Sequence, residues 1–163
     1  MSSISHPNIV KVYEFVESET FIFLKMEIIR NGTLCKTHLS IEKMINSRWE
    51  SGRCFTDEET AAIMRSLFQT VNYIHSINII HRDIKPENIL LPTDQDFSNL
   101  KMADFGLSTK LDFYYPKTAS SKCGTMLFMA PEILNNLSYS KLVDIWSCSI
   151  IMYMLAKGTH PFF

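Results

Sequence analysis

The strongest structural signal in the sequence is a helix near the middle of the chain. The segment Thr56-Asp57-Glu58-Glu59 has the form of a capping box, with threonine at the helix cap and glutamate three residues later. Apolar residues then recur at helical spacing as far as about Ser76, at positions Met64, Leu67, Phe68, Val71 and Ile74. One face of this predicted helix is therefore apolar and needs other parts of the chain to cover it.

The residues before this helix favour β-structure. Two segments, 9–16 and 20–28, are rich in Val, Ile, Phe and Tyr and are separated by a short acidic stretch, which predicts a β-hairpin. An Asn-Gly dipeptide at 31–32 then indicates a turn. A mixed polar and apolar pattern predicts a helix over 33–46, and a loop is expected over 49–55.

Short strands and more helices are predicted after the central helix. Segments 89–91 and 100–102 read as short strands on either side of a polar loop. Pro131 suits the first turn of a short helix. A last helix, apolar on nearly every side, is predicted from about 140 to 157 and ends at Gly158. A hairpin followed by mostly helical structure gives an α+β fold class.

The composition excludes several classes of protein. The 163 residues are 46% hydrophobic and 20% charged, which is typical of a globular protein and not of a disordered one. Sixteen basic and seventeen acidic side chains give a net charge of −1, which argues against a nucleic-acid or polybasic membrane binder. The longest mostly apolar run, over residues 145–156, is too short to span a bilayer.

The cysteine pattern indicates a reducing compartment. The four cysteines are scattered and form no Cys-x-x-Cys pair, which argues against a disulfide scaffold or a zinc ribbon. The first residues show neither the basic nor the apolar region of a secretory signal. We therefore expect a cytoplasmic protein, with the nucleus as a second possibility.

Four short motifs carry the chemistry of the chain. A dense run of charged and amide side chains, His-Arg-Asp-Ile-Lys-Pro-Glu-Asn, occupies residues 81–88. Asp-Phe-Gly follows at 104–106, Ala-Pro-Glu at 130–132 and Asp-Ile-Trp-Ser at 144–147. In this order and spacing the motifs resemble those of eukaryotic protein kinases. About fourteen fixed positions, each with a chance of roughly one in twenty, make accidental agreement negligible.

The resemblance implies phosphoryl transfer from ATP, a reaction that needs positioning and charge cancellation more than covalent chemistry. Asp83 would orient the substrate hydroxyl and accept its proton, and Lys85 would place a cation near the transferred phosphoryl group. Asn88 and Asp104 offer oxygen ligands of the kind that Mg²⁺ prefers. ATP and Mg²⁺ are therefore the expected cofactors, and another protein is the expected substrate.

The resemblance is to the serine/threonine branch of the family. Lys85 stands two residues after Asp83, as in that branch, and Thr125 is expected to shape the acceptor pocket beside the aspartate. Arg82 resembles the arginine of relatives that are switched on by phosphorylation, because a guanidinium can bind a phosphate bidentately. Ser121 stands where many relatives carry that phosphate, with Ser/Thr neighbours at 118 and 120. An activating kinase is therefore a possible partner, and an ordinary solvated loop is the equal alternative.

Residues 26–29 resemble the gatekeeper and hinge of the family. Met26 would be the gatekeeper, and the backbone of Glu27 and Ile29 would hold the edge of adenine. Leu90 would form the apolar floor beneath the base, although a plain core leucine is an equal reading, and Glu87 is placed with the nucleotide site.

Asp144 is an ionisable residue in a segment that is otherwise apolar. A buried carboxylate needs several hydrogen bonds. The resemblance implies that Asp144 accepts them from the backbone of the His-Arg-Asp loop, so its role is structural. His81 and Phe105 are likewise expected to be internal packing residues.

The sequence also departs from the family pattern. The 163 residues contain no Gly-x-Gly-x-x-Gly loop and no Val-Ala-Ile-Lys strand. The expected organisation is a partial kinase domain over 1–163, with 1–30 as a remnant of the small lobe and hinge and 31–163 as part of the large lobe. Two function classes stay open. One is a serine/threonine kinase or a fragment of one, and the other is a non-catalytic remnant that binds a partner through its incomplete lobe.

Overall fold

The computed structural model describes residues 4–29, 39–93, 96–111 and 119–162. Within these ranges the chain forms small antiparallel sheets and four α-helices, so the predicted α+β fold class is confirmed. The strands are β1 (Val12–Glu17), β2 (Ile22–Met26), β3 (Leu39–Ser40), β4 (Ile79–Ile80), β5 (Ile89–Leu91), β6 (Lys101–Met102) and β7 (Thr109–Lys110). The helices are α1 (Ile41–Glu50), α2 (Asp57–Ser76), α3 (Pro131–Leu134) and α4 (Leu142–Lys157).

The predicted hairpin is present but shorter than the apolar segments that indicated it. Strands β1 and β2 pair antiparallel, with Val12 opposite Met26 and Glu17 opposite Ile22. The residues before β1 join a different sheet. Ile9 forms a parallel bridge with Met102, and the Val10 amide donates to the Met102 carbonyl at 2.9 Å. Ile9 is buried there, which explains why the hairpin does not begin at residue 9.

Helix α2 follows the sequence closely. The Thr56 hydroxyl accepts from the Glu59 amide at 3.2 Å, and the Glu59 carboxylate accepts from the Thr56 amide at 2.9 Å, so the capping box is confirmed. The apolar face was predicted with one error. Phe68 is 37% exposed, whereas the fully buried Ile63, which was not predicted, belongs to the apolar core.

Helix α1 begins later than predicted. It runs from Ile41 to Glu50, so its last two residues occupy the start of the expected loop. The predicted turn at 31–32, and the predicted helix as far as residue 38, lie outside the described residues. Arg48 joins α1 to the start of α2, because its guanidinium pairs with the Glu59 carboxylate at 2.5 and 2.7 Å and lies 4.1 Å from the centre of the Phe55 ring.

Helix α4 is the central support of the fold. It begins two residues later than the predicted position 140 and packs against α2 through fully buried side chains that include Ile151 and Leu155. It ends where Gly158 adopts a left-handed backbone, with φ of 75°. The described part of the chain contains no helix with the length and apolar character needed to cross a bilayer.

Two glycines test how α4 is fastened to α1. Gly52 and Gly158 both have positive φ, but a Cβ at 52 would meet open space whereas a Cβ at 158 would overlap the ring of Trp49. Gly52→Ala should lower the free energy of unfolding by about 1–2 kcal/mol through backbone strain alone. Gly158→Ala should lower it by about 1–3 kcal/mol more, because the indole must move. Urea unfolding measures both, and equal losses would contradict the described packing.

Candidate active site

The loop between β4 and β5 carries most of the predicted catalytic residues, and one buried carboxylate holds it in place. Asp144 is 1% exposed, and its two oxygens accept from the amides of His81 and Arg82, each at 3.0 Å. The His75 Nε2 atom lies 2.8 Å from the same carboxylate. The expected structural role of Asp144 is therefore observed in the geometry. Arg82 adopts a left-handed backbone with φ of 71°, which turns the chain directly before Asp83.

Asp83 lies at the centre of a compact polar cluster. One of its oxygens accepts from the amide and the hydroxyl of Thr125, at 2.9 and 2.8 Å. The other lies 2.9 Å from the Lys85 ammonium, which also donates to the Thr125 hydroxyl at 2.8 Å. Burial acts to raise the pKa of Asp83, but the hydrogen bonds from Lys85 and Thr125 outweigh it and hold the pKa below its ordinary value. Asp83 is therefore an ionised acceptor at neutral pH.

Asn88 connects this cluster to the segment that carries Asp104. Its amide nitrogen donates to the backbone carbonyl and the carboxylate of Asp83, at 3.0 and 3.3 Å. Its backbone carbonyl accepts from the Ala103 amide at 2.9 Å. Asp104 has a left-handed backbone with φ of 59° and accepts from the Gly106 amide at 3.2 Å. The structure therefore places Asp83, Lys85 and Asn88 in direct contact, with Asp104 in the adjoining segment.

A cleft of about 660 Å³ opens beside this cluster. Both of the predicted metal ligands, Asn88 and Asp104, line it. So do all five residues predicted to bind the nucleotide, which are Met26, Glu27, Ile29, Glu87 and Leu90. The cleft is not lined by Asp83, Lys85 or Thr125. Asn88, which does line it, connects them to the cleft through its hydrogen bond to the Asp83 carboxylate. Such a cleft is mainly apolar with a few convergent polar groups, which is the usual form of a small-molecule site.

The comparison with known families decides what this arrangement belongs to. The family model described as "Protein kinase domain" matches residues 1–163. The chain belongs to the protein kinase family. Members of this family in general use ATP and Mg²⁺ and phosphorylate proteins.

Three curated relatives of this chain are kinases by name, and one of them is named as a serine/threonine kinase. The chain is 39% identical to a probable myosin light chain kinase of Dictyostelium discoideum, over 100% of the chain and 49% of that protein. It is 37% identical to the serine/threonine-protein kinase DCLK1 of Rattus norvegicus, over 98% of the chain and 34% of that protein. Calcium-dependent protein kinase 4 of Plasmodium falciparum is 35% identical, over 99% of the chain and 28% of that protein. The chain thus spans about half the length, or less, of these relatives.

The two residues predicted to regulate the kinase lie in contact. The Arg82 guanidinium donates to the Ser121 hydroxyl at 2.5 Å and to the Leu107 carbonyl at 2.6 Å. Tyr139, which the sequence analysis missed, donates its hydroxyl proton to the Ser121 carbonyl at 2.7 Å and lies 3.2 Å from the same guanidinium. Thr118, the other neighbour considered, lies outside the described residues.

Gly124 is another position that the sequence analysis did not assign. Its φ is 109°, and a Cβ there would overlap the carbonyl oxygen of Arg82 and come within 3.8 Å of Asp83. Only glycine lets the backbone before Thr125 approach the loop between β4 and β5 so closely. A glycine next to the threonine is visible in the sequence, but the approach to Arg82 is a long-range contact that spacing does not show.

His81 is buried and neutral next to the candidate active site. It is 0% exposed, its ring lies 4.7 Å from that of Phe105, and its Nε2 atom lies 3.2 Å from the Ala103 carbonyl. Burial lowers its pKa from the ordinary 6.5, despite the opposing charge of Asp144. The predicted packing roles of His81 and Phe105 agree with this geometry.

The pKa of His81 predicts how stability depends on pH. Below about pH 6.5 the unfolded chain binds a proton at residue 81 that the folded chain excludes, so stability falls as pH falls. His81→Phe keeps a ring in the pocket and removes the proton, so its loss of stability between pH 6.5 and 5.5 should be smaller by up to about 1 kcal/mol. Urea unfolding at both pH values measures the difference. Equal losses in the parent chain and the variant would contradict this account.

Proposed function

We propose that this chain carries the catalytic machinery for transfer of the γ-phosphoryl group of ATP to serine or threonine hydroxyls of protein substrates. The observation that supports it best is the convergence of Lys85, Asn88 and Thr125 on the Asp83 carboxylate. Phosphoryl transfer is catalysed mainly by positioned charges, and the hydrogen bonds within this cluster hold its charged groups next to one another.

Each residue of the cluster has a role that follows from its chemistry. The ionised Asp83 carboxylate orients the substrate hydroxyl and accepts its proton. Lys85, between Asp83 and Thr125, supplies a positive charge that balances the developing negative charge on the transferred group. Thr125 holds the carboxylate through two hydrogen bonds and forms the wall of the acceptor pocket.

The donor set at the base of the cleft fits Mg²⁺. The Asn88 amide nitrogen is engaged by Asp83, and its Oδ1 accepts no hydrogen bond from a described residue. Asn88 Oδ1 and the Asp104 carboxylate would therefore hold the ion, because both are hard oxygen ligands that line the same cleft. Mg²⁺ bound with ATP supplies the charge that neutralises the phosphates.

The residues predicted to form the hinge suit the binding of a flat base in this cleft. Among the described residues, neither the Glu27 carbonyl nor the Ile29 amide is paired with another backbone group. We propose that these two groups bind the edge of adenine, with Met26 beside the base and Leu90 beneath it. Glu87 also lines the cleft, and we assign its carboxylate to the nucleotide site.

The exposed hairpin supports a second candidate function, a non-catalytic module that binds a partner. Several large apolar side chains of β1, β2 and the turn between them are about half exposed or more, among them Phe15, Phe21, Ile22 and Phe23. Contiguous exposed apolar surface of this kind recruits partners.

We also propose that residues 1–30 belong to the small lobe and hinge of the kinase domain and that residues 31–163 belong to the large lobe. A cytoplasmic or nuclear location is supported by the free thiols of Cys54, Cys123 and Cys148.

Two aspartate variants separate catalysis from partner binding. Mg·ATP should raise the melting temperature of the parent chain, and Asp104→Asn should remove most of that rise because a metal ligand is lost. Asp83→Asn should keep the rise but slow phosphoryl transfer to a serine/threonine peptide library by about 10²–10⁴-fold, because the proton acceptor is lost.

Asp57→Asn is the matched control, because Asp57 lies on the exposed first turn of α2. It should behave as the parent in both assays. A folded parent chain that shows no thermal shift with Mg·ATP would reject the kinase proposal and favour the binding module. Unchanged transfer by Asp83→Asn would reject the role of Asp83.

We further propose that phosphorylation of Ser121 by an activating kinase orders the segment from Asp104 to Glu132. The Arg82 guanidinium already contacts the Ser121 hydroxyl, so a phosphate there would meet a positive charge. The Tyr139 hydroxyl lies 3.2 Å from the same guanidinium. The guanidinium is therefore already next to the position that a phosphate on Ser121 would occupy.

Activation by phosphorylation should depend on residue 121. A charge-assisted hydrogen bond contributes about 1.5–3 kcal/mol, so phosphate on Ser121 should raise the transfer rate by about tenfold or more. Ser121→Ala should not be activated by an upstream kinase, whereas Ser120→Ala should be activated like the parent. Transfer rates before and after phosphorylation measure this. Full activation of Ser121→Ala would show that the phosphate acts elsewhere.

A further inference from the structure

We propose that the ion pair between Glu27 and Lys101 is a positioning pair that fixes the hinge for nucleotide binding. The inference rests on the proposed function, because it assigns a role in binding the nucleotide at the same cleft. Neither side chain is assigned to this task by the family motifs. Lys101 lies in β6, three residues before Asp104, and Glu27 follows directly after β2.

The geometry of the pair is close and two-pronged. The Lys101 ammonium lies 3.0 Å from one oxygen of the Glu27 carboxylate and 3.1 Å from the other. The side chains are 19% and 25% exposed, so the pair is screened from solvent more than an ordinary surface pair. It joins the hinge to the strand that leads to a proposed metal ligand.

Glu27 is also tied to the segment before β1. Its amide donates to the Lys11 carbonyl at 2.7 Å, and one oxygen of its carboxylate accepts from the Lys11 amide at 3.1 Å. The neighbouring residue, Val10, donates its amide to the Met102 carbonyl at 2.9 Å. Since Met102 follows Lys101 in the chain, these contacts close a ring that begins and ends at β6.

The ring explains how the hinge is held before any ligand binds. Both the backbone amide and the carboxylate of Glu27 are engaged, so this residue has little freedom to rotate. The backbone groups proposed to meet adenine, the Glu27 carbonyl and the Ile29 amide, are therefore presented in a fixed position. A site that is ordered in advance binds more tightly because less freedom is lost on binding.

A pair with a purely structural role would lower the urea midpoint when it is removed. The Glu27–Lys101 pair is partly exposed and contributes little to overall stability, so its removal should leave the urea midpoint nearly unchanged. If the pair positions the hinge, its removal should instead weaken nucleotide binding. The hairpin offers a matched control, the pair Glu14–Lys25 at 3.6 Å, which links the two strands and is far more exposed, at 58% and 71%.

The test is the affinity of the chain for a fluorescent ATP analogue with Mg²⁺, measured together with the urea midpoint. Lys101→Met removes the charge, keeps the apolar stem and should weaken binding by about three- to tenfold. Lys101→Arg should restore the parent affinity, because a guanidinium also pairs with a carboxylate. Lys25→Met should bind as the parent does. The urea midpoint should stay unchanged in all three variants.

The double variant provides a second check on the same pair. Glu27→Gln and Lys101→Met each break the same ion pair, one by changing the acid and the other by changing the base. The double variant should therefore bind the ATP analogue no more weakly than either single variant. Additive losses would overturn the inference.

The outcomes separate the inference from the proposed function. A folded parent chain that does not bind the analogue overturns both. A parent that binds, with Lys101→Met equal to Lys25→Met, overturns the positioning pair and leaves the proposed function standing. A weakened Lys101→Met that Lys101→Arg does not restore, or that also lowers the urea midpoint, shows a structural role and overturns the inference.

Discussion

The candidate active site of this protein kinase domain depends on a carboxylate to which we assign no part in the chemistry. Asp144 is buried in the central helix, where an unpaired charge would be strongly destabilising. Its need for donors is met by the amides of His81 and Arg82. The same two bonds that stabilise Asp144 therefore fix the backbone on which Asp83 is mounted. One pair of hydrogen bonds thus both satisfies the buried charge of the core and sets the geometry of the loop.

From that anchor the polar contacts extend outwards in order. Asp83 holds Thr125 and Lys85, Asn88 joins Asp83 to the segment of Asp104, and Arg82 reaches the Ser121 hydroxyl. Gly124 allows this approach by leaving room for the Arg82 carbonyl. Segments from distant parts of the chain thus meet around one loop. A substitution at Thr125, Lys85 or Asn88 removes a direct contact of the Asp83 carboxylate.

The sequence was most informative where the signals are local. The capping box at Thr56 predicted the start of α2, and the order of the motifs predicted which residues would meet around Asp83. The errors came from contacts between distant residues. Ile9 pairs with Met102 and not with the hairpin, and Phe68 is partly exposed although it has the same helical spacing as its buried neighbours. Periodicity cannot show which neighbour a segment finds.

Hydrogen exchange at the amides of His81 and Arg82 tests the central claim most directly. Both amides lie outside regular helix and strand, yet this account predicts that they exchange as slowly as the core amides of α4, because each is bonded to the buried Asp144 carboxylate. The amides of Glu19 and Thr20, in the exposed turn of the hairpin, give the rate of an unprotected loop. Exchange of His81 and Arg82 at that faster rate would contradict the account.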